Sequence, residues 1–371
     1  MRTINDYLHQ KASYNKIPLN GTFELSPVCN FRCKMCYVRR TPEQIRQAGK
    51  SLIPWQRWLE LAQQCREAGT LYLLLTGGEP FLYPGFRELY QGLHGMGFVL
   101  AINSNGYLIS EETVRWLKQA APSRINITLY GASRETYGKI CGDPEGYDRA
   151  MSAIRLLKEA GIPVVINASM IPENADDLER IMDIGKELGI NTRVSTYMFP
   201  PVRREREASD SRFAPEESAD MYMRKIRHFY TEERLRGILL EQREKVASAS
   251  EQNEDWGAHE EFMRCRAGRC TFWISWEGKM TACGMMPFPA EVDPLNRSFA
   301  ECWQELTEKT RCTTVLKGCT GCPKLPVCRP CAATVYSECG DVNGKPEYLC
   351  ALAEEIIKKS EQCLEQMGEY K

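Results

Sequence analysis

The chain has 371 residues, with 48 basic side chains against 49 acidic ones, 4 histidines and 17 cysteines. A formal charge of -1, with basic tracts interleaved with acids as in Arg203-Arg204-Glu205-Arg206-Glu207, leaves no electrostatic footprint for nucleic acid or an anionic membrane. No signal pattern opens the chain and no apolar run approaches the roughly 20 residues of a membrane span, so the reading is cytoplasmic; in that compartment an excess of thiols points to metal or redox chemistry and not to disulfides.

An N-terminal extension, residues 1–20, precedes six short apolar runs: TFELS (22–26), LYLLLT (71–76), FVLAIN (98–103), RINITLY (124–130), PVVINAS (163–169) and NTRVSTY (191–197). Helical patterns alternate with them near Pro54–Ala68, Gly85–Met96, Ser110–Ala120, Tyr147–Ala160 and Ala175–Leu188, several ended by a glycine. Six strand-helix repeats predict an α/β fold over 21–200, with a parallel sheet that is either a partial barrel or doubly wound. The stretch 201–261 reads as a linker with one long charged helix over Pro215–Val246. Residues 262–350 form a glycine- and proline-punctuated region holding eleven cysteines, of a size that needs staples, and 351–371 close the chain with an amphipathic helix.

Cys29, Cys33 and Cys36 form C-x3-C-x2-C directly after the first strand. One loop at this spacing can wrap three thiolates around a small cluster, one ligand short of a closed site. The spacing alone leaves open a zinc site completed by a remote ligand, or three ordinary thiols. Further polar motifs follow the next strands: Thr76-Gly77-Gly78-Glu79-Pro80, then Asn103-Ser104-Asn105-Gly106, then Thr128 with Tyr130-Gly131. All sit at the carboxyl ends of successive parallel strands, where α/β folds build their sites. The glycine pair lets backbone approach a ligand, and the acid can receive an ammonium group.

With these residues the sequence resembles the radical S-adenosylmethionine (SAM) enzymes. Cys29, Cys33 and Cys36 match the family's cluster motif with Tyr37 at its aromatic position, and Gly77, Gly78 and Glu79 match the GGEP motif that contacts the methionyl amino group. The resemblance implies a partial (β/α)6 barrel and a [4Fe-4S] cluster whose open iron is chelated by SAM. One-electron reduction would then yield methionine and a 5′-deoxyadenosyl radical that abstracts a substrate hydrogen. By position it also places the Met35 backbone and Tyr37 near adenine, Asn105 near the ribose, and Thr128 and Lys139 near the ribose or carboxylate. Lys139 reads equally well as a solvated helix-end lysine, and Asn167 as a structural hydrogen-bonder.

The second constellation runs C265-x4-C270-x12-C283, then C319-x2-C322-x5-C328-x2-C331-x18-C350, with Gly278 five residues before Cys283. Eight thiolates suit two four-ligand sites, zinc or iron–sulfur. Beside the first motif, this region resembles the SPASM extension of peptide- and protein-modifying radical SAM enzymes. The resemblance implies a small C-terminal iron–sulfur domain with two auxiliary [4Fe-4S] clusters, three clusters in all. Cluster I would be held by Cys265, Cys270, Cys283 and Cys331, and cluster II by Cys319, Cys322, Cys328 and Cys350. Cys331 follows Cys328 one residue early for the pattern, and Cys339 is the spare thiol that could replace it. Of the others, Cys65, Cys141, Cys302, Cys312 and Cys363, Cys141 lies near the mouth of the expected barrel.

Closed auxiliary clusters suit electron transfer, which favours oxidation or cross-linking of a peptide or protein substrate, with a flavodoxin or ferredoxin as electron donor and with substrate recognition by a separate leader-binding protein or by another surface of this chain. The layout is also similar to anaerobic sulfatase-maturating enzymes, but these carry an aspartate after the cysteine matching Cys283, where this chain has Gly284. Two other readings stand beside it: a radical SAM dehydrogenase of a small molecule, and a zinc-stabilised or electron-carrying binding protein without SAM chemistry. The sequence assigns no catalytic acid or base; Tyr130, Asp143, Tyr197 and Arg203 stand near strand ends.

Overall fold

The computed structural model describes residues 3–200, 211–251, 263 and 265–368. Arg203 and most of the expected 201–261 linker preceding Pro215 lie outside the described residues. Six parallel strands, β1 (Asn20–Glu24), β2 (Tyr72–Thr76), β3 (Val99–Ser104), β4 (Arg124–Thr128), β5 (Val164–Ser169) and β6 (Asn191–Ser195), follow the expected runs within two residues. Their helices cover one face: Trp55–Glu67, Phe86–Gly95, Glu111–Gln119, Gly146–Glu159 and Leu178–Glu187.

Alternation along the strands divides the sheet's two faces. Phe23, Leu73, Leu75, Leu100, Ile102, Ile125, Ile127 and Ile166 pack with Trp58, Leu61, Leu89, Leu117, Ile154 and Ile181 of the helices in one buried core. Each such side chain contributes about 1.5–3 kcal/mol on burial. The opposite face carries Glu24, Thr76, Asn103, Asn126, Thr128 and Asn167, a polar set at every second strand position. The sheet is an open α/β sheet curved as a partial barrel, and this polar face is its inside.

The cysteine-rich region continues the same sheet. Three strands, β7 (Thr271–Ile274), β8 (Met280–Cys283) and β9 (Met286–Val292), give nine in the order β6-β5-β4-β3-β2-β1-β7-β8-β9. β7 lies parallel to β1, with Thr22 opposite Trp273, and β8 and β9 fold back antiparallel. Phe272 on the outer face packs edge-on against Phe299 of the helix Phe299–Cys312, whose N-terminus is closed by a Ser298/Glu301 capping box.

Three expectations change. The helix anticipated over Pro215–Val246 is two, Pro215–Phe229 and Glu232–Glu251, because Tyr230 turns extended at φ -107° and ψ 151°. The tail helix starts earlier and runs Glu347–Gln366, with Cys363 and Leu364 buried against Met223 and Ile226. Helices Ile4–Asn15 and Arg134–Cys141 were unannounced by periodicity, and their caps, Thr3 and Ser133, are the signals that could have found them. Among the described residues no helix is long and apolar enough to cross a membrane.

Candidate functional site

The loop after β1 carries Cys29, Cys33 and Cys36, and backbone hydrogen bonds fix it on two sides. On one side Gly78 N–H donates to Ser26 O at 2.6 Å and Glu79 N–H to Val28 O at 2.9 Å. Only glycine permits this approach: a Cβ on Gly78 would lie 2.3 Å from Val28 O, and one on Gly77, at φ +152°, 2.4 Å from Ser26 O. The pair thus brings the β2 loop against the cysteine loop itself. On the other side Arg32 N–H donates to Cys141 O at 2.8 Å and Lys34 N–H to Ile140 O at 3.1 Å, so the end of the helix Arg134–Cys141 flanks the loop.

Glu79 joins the strand ends. It is fully buried; Oε1 accepts Ser104 Oγ–H at 2.9 Å and Phe81 N–H at 3.2 Å, while Oε2 accepts Asn105 N–H at 2.8 Å. Burial pushes its carboxyl up to about 7, opposed by those three donors. A carboxylate has about four acceptor positions, so one on Oε2 remains for an ammonium group. Asn105 extends the frame to the cysteines: its Nδ2 donates to Asn30 Oδ1 at 2.9 Å and approaches Cys29 Sγ at 3.6 Å. Ser104 lay in the strand-end motif without an assigned role, and Asn30 is a member that motif reading missed.

The sulfurs accept main-chain donors, Phe31 N–H on Cys29 Sγ at 3.4 Å and Arg39 N–H on Cys36 Sγ at 3.3 Å. Burial pushes the Cys29 thiol up to about 12, and Cys33, buried beside the Cys141 thiol and the Tyr130 hydroxyl, also stands well above the usual thiol range. Tyr130 is therefore at the cysteine site, its own hydroxyl raised by burial and by these thiols. Asp143 instead shapes a turn, accepting Glu145 N–H at 3.0 Å, and Tyr197 donates to Glu338 at 2.8 Å. Met35 packs partly buried against the core, Asn105 is buried, and Thr128 stands half-buried on the inner face. Lys139 is exposed and pairs with Glu135 at 2.7 Å along its own helix.

The C-terminal thiols fall into groups. Burial pushes Cys328 up to about 12, and the neighbouring Cys319, Cys350 and Cys322 thiols add to the rise, so the four gather together. Cys339 stands beside Cys319. Cys265 is near Cys331, whereas Cys270 is fully buried toward the helix Ile4–Asn15, its sulfur accepting Ser13 Oγ–H at 3.0 Å. A cavity of about 260 Å³ separates the two regions, lined by Tyr37 and Val38 from the first cysteine loop, Gly284 and Met285 beside Cys283, and Glu24 with Trp273 between them. Among the described residues no three His, Cys, Asp or Glu side chains converge as the ligands of one ion do. Thiolates on one zinc stand about 3.8 Å apart, given bonds of ~2.3 Å, closer than thiolates that each bind a different iron. Cys33 and Cys36 lie close enough to Cys29 to raise its thiol further, and a thiol-only donor set is what an iron–sulfur cluster takes.

Residues 23–184 match the family model described as Radical SAM superfamily. The chain contains a radical SAM domain. Members of this family use a [4Fe-4S] cluster and SAM. The whole chain is also similar to the AdoMet-dependent heme synthase of Methanosarcina barkeri (strain Fusaro / DSM 804), 26% identical over 339 residues that cover 86% of this chain and 92% of that protein. The chain is also similar to the sporulation killing factor maturation protein SkfB of Bacillus subtilis (strain 168), 26% identical over 48% of this chain and 43% of SkfB, so the match spans less than half of SkfB's length. In fold it matches native anSMEcpe with bound AdoMet at a TM-score of 0.68, with 15% identity over 94% of this chain and 99% of that one. A second structure of that protein holds AdoMet and a Cp18Cys peptide, and matches at 0.65 with 14% identity over 94% and 98%.

Proposed function

We propose that this protein binds a [4Fe-4S] cluster through Cys29, Cys33 and Cys36, and SAM beside it, and abstracts hydrogen from a peptide or protein to oxidise or cross-link it. Bound there, the cluster and SAM supply one-electron C–S cleavage and with it a 5′-deoxyadenosyl radical. The observation that carries the reading is Glu79: a buried carboxylate with one acceptor position left, tied through Asn105 to the thiol loop. It receives the methionyl ammonium and fixes SAM against the cluster, while Tyr37 packs near the adenine and Asn105 and Thr128 take ribose hydroxyls. Lys139 would have to leave Glu135 to take part.

Cys319, Cys322, Cys328 and Cys350 hold one auxiliary cluster, and Cys265, Cys331, Cys283 and Cys270 the other, with Cys270 requiring the largest rearrangement. These clusters take the second electron of an oxidation, and a flavodoxin or ferredoxin delivers the first. The peptide class is supported by the similarity to a maturation protein and by the fold shared with a peptide-bound enzyme. A second reading, oxidation of a small molecule, is favoured by the heme synthase, a similar protein whose match covers 86% of this chain. Anaerobic reconstitution, reduction and SAM addition should give 5′-deoxyadenosine and about twelve irons per chain, the sum for three four-iron clusters. A colourless zinc protein that forms none would end both enzyme readings. Deuterium passing into 5′-deoxyadenosine from labelled peptide, and not from a small metabolite, separates the first from the second.

A further inference from the structure

Two side chains bring hydrogen-bond donors from the strand ends to the sulfurs of the first thiol loop. Asn105, just past β3, is buried and carries two amide hydrogens. One goes to Asn30 Oδ1 at 2.9 Å and the other reaches Cys29 Sγ at 3.6 Å, a length suited to the larger sulfur atom. Its Oδ1 accepts Tyr107 N–H at 2.9 Å, so one lone pair of that oxygen is left to meet a ribose hydroxyl. The donor on the sulfur is thus a separate feature from a contact with SAM.

Tyr130, just past β4, serves the next sulfur. Arg32 N–H donates to Cys141 O at 2.8 Å and Lys34 N–H to Ile140 O at 3.1 Å, which lays Cys33 alongside Cys141 in the buried core. The Tyr130 hydroxyl stands within hydrogen-bonding reach of the Cys33 sulfur, with the Cys141 thiol, a weaker donor, beside it. Both main-chain groups of Tyr130 are fixed: its N–H donates to Tyr137 Oη at 3.3 Å, and its carbonyl accepts Asn174 Nδ2–H at 2.8 Å. Phe31 N–H on Cys29 and Arg39 N–H on Cys36 are donors of the loop's own backbone. Each of the three sulfurs therefore meets a donor, and on Cys29 and Cys33 a side chain supplies it.

Adding an electron at such a loop increases its negative charge. Burial opposes that change, whereas hydrogen bonds to the sulfurs favour it. Cys33 is buried and Cys29 and Cys36 are half-buried, so the donors act against the cost of burial. We propose that Asn105 and Tyr130 set the reduction potential of the cluster held by this loop, each by donating to one of its thiolates, and raise it to where an electron-carrier protein can load it. The inference rests on the proposed [4Fe-4S] cluster and gives Tyr130 a role that the binding of SAM does not.

The test is a redox titration of anaerobically reconstituted holoenzyme followed by electron paramagnetic resonance, the first cluster being the signal that SAM alters. Tyr130→Phe removes one oxygen, and Asn105→Ala removes the amide. Each should lower the reduced-to-oxidised ratio of that signal about tenfold at a fixed potential, a shift of ~59 mV for one electron, and the double variant should lose more than either. The auxiliary signals should stay within twofold of wild type. Should one variant fail to take up iron, the other carries the comparison. The proposal is overturned if both ratios stay within twofold of wild type, or if all signals shift together, as a merely structural role would give. It is overturned too if neither variant holds the first cluster, because the two residues would then build the loop and not tune it. Failure of the radical SAM reading shows separately, as wild-type enzyme with no signal that answers to SAM and no 5′-deoxyadenosine.

Discussion

Ionisation of Glu79 opposes folding of the cluster-free chain, and the size of the effect follows from its burial. The carboxyl is raised from 4.5 to about 7 by desolvation, a net shift remaining after the Asn105 and Phe81 amides and the Ser104 hydroxyl have pulled it down. A raised carboxyl holds its proton more tightly folded than unfolded, so stability is full below the unfolded value and falls as pH rises through the folded one. At ~1.4 kcal/mol per pKa unit the whole difference is about 3.5 kcal/mol, of which about 2.5 kcal/mol falls between pH 5 and 8. Glu79→Gln removes the titration; its amide set against the Asn105 N–H adds an offset, but one that does not vary with pH. Urea unfolding of reduced, iron-free protein should show the wild type losing about 2.5 kcal/mol relative to the variant across that range. Parallel stability profiles would refute the buried, titrating carboxyl. If the spare acceptor position takes the methionyl ammonium, SAM binding near pH 7 should also release protons, measurable by calorimetry in buffers of different ionisation enthalpy.

Gly78→Ala should lower the unfolding free energy by about 2–4 kcal/mol and reduce iron uptake, since its Cβ would meet Val28 O at 2.3 Å and break a pair of backbone hydrogen bonds; wild-type iron content and stability would contradict the close approach. Cys33→Ala should abolish 5′-deoxyadenosine formation while auxiliary iron remains, whereas Cys141→Ala should keep the reaction, because Cys141 flanks the loop from its helix; the reverse pattern would make Cys141 the ligand. Cys322→Ala should lose about four irons and some of the cooperative unfolding, as cluster binding and folding of the C-terminal region are coupled; full iron content would remove it from the ligand set. Gly284→Asp, which places the aspartate of sulfatase-maturating enzymes at its equivalent position, should destabilise by about 1–3 kcal/mol without new activity, because a Cβ there meets the Trp273 ring at 2.4 Å. A stable variant that oxidises a cysteinyl peptide would show that Gly284 is what separates the two activities.

The alternation of apolar runs with helical stretches made the parallel sheet legible, because each run is buried on its helix-facing side and period-two patterning survives in the sequence. The thiol loop and its GGEP neighbour were legible as motifs, yet the purpose of Gly77 and Gly78 was not: spacing shows that backbone must pass close to something, and only coordinates show that it is Ser26 and Val28. The pairing of β7 with β1 was hidden for a different reason. A four-residue strand 250 residues downstream carries no local signal for its partner, and Phe272 and Ile274 read equally as loop hydrophobics. Asn103, Asn126 and Asn167 could have been found together, since each falls at the inward phase of an apolar strand; taken one at a time they read as ordinary structural amides.

The frame around the first thiol loop is built from bonds that need no iron, so it can form before the cluster arrives. Glu79, Asn105, Ser104 and Asn30 are joined by hydrogen bonds that involve no thiolate, and the loop backbone is held by main-chain N–H donors of Gly78 and Glu79 on one side and by the carbonyls of Ile140 and Cys141 on the other. The thiols inside that frame are held in the neutral form: burial carries Cys29 to about 12, and the hydrogen bond with the Cys141 thiol together with burial holds Cys33 well above its usual range, so few thiolates are present at neutral pH. Iron must therefore displace the thiol protons as it binds, and its positive charge offsets the desolvation that raised them. A frame fixed beforehand spares the cluster the cost of ordering the loop, and it leaves the Glu79 acceptor position aimed where an amino group bound to the open iron would need it. Cluster uptake by the iron-free chain should accordingly release protons and speed up with rising pH, while the Gly78 and Glu79 amides, which donate to Ser26 and Val28, stay protected from hydrogen exchange before iron is added. Exchange of those amides at the rate of an unfolded chain, slowing only once iron is bound, would mean that the cluster builds the frame instead.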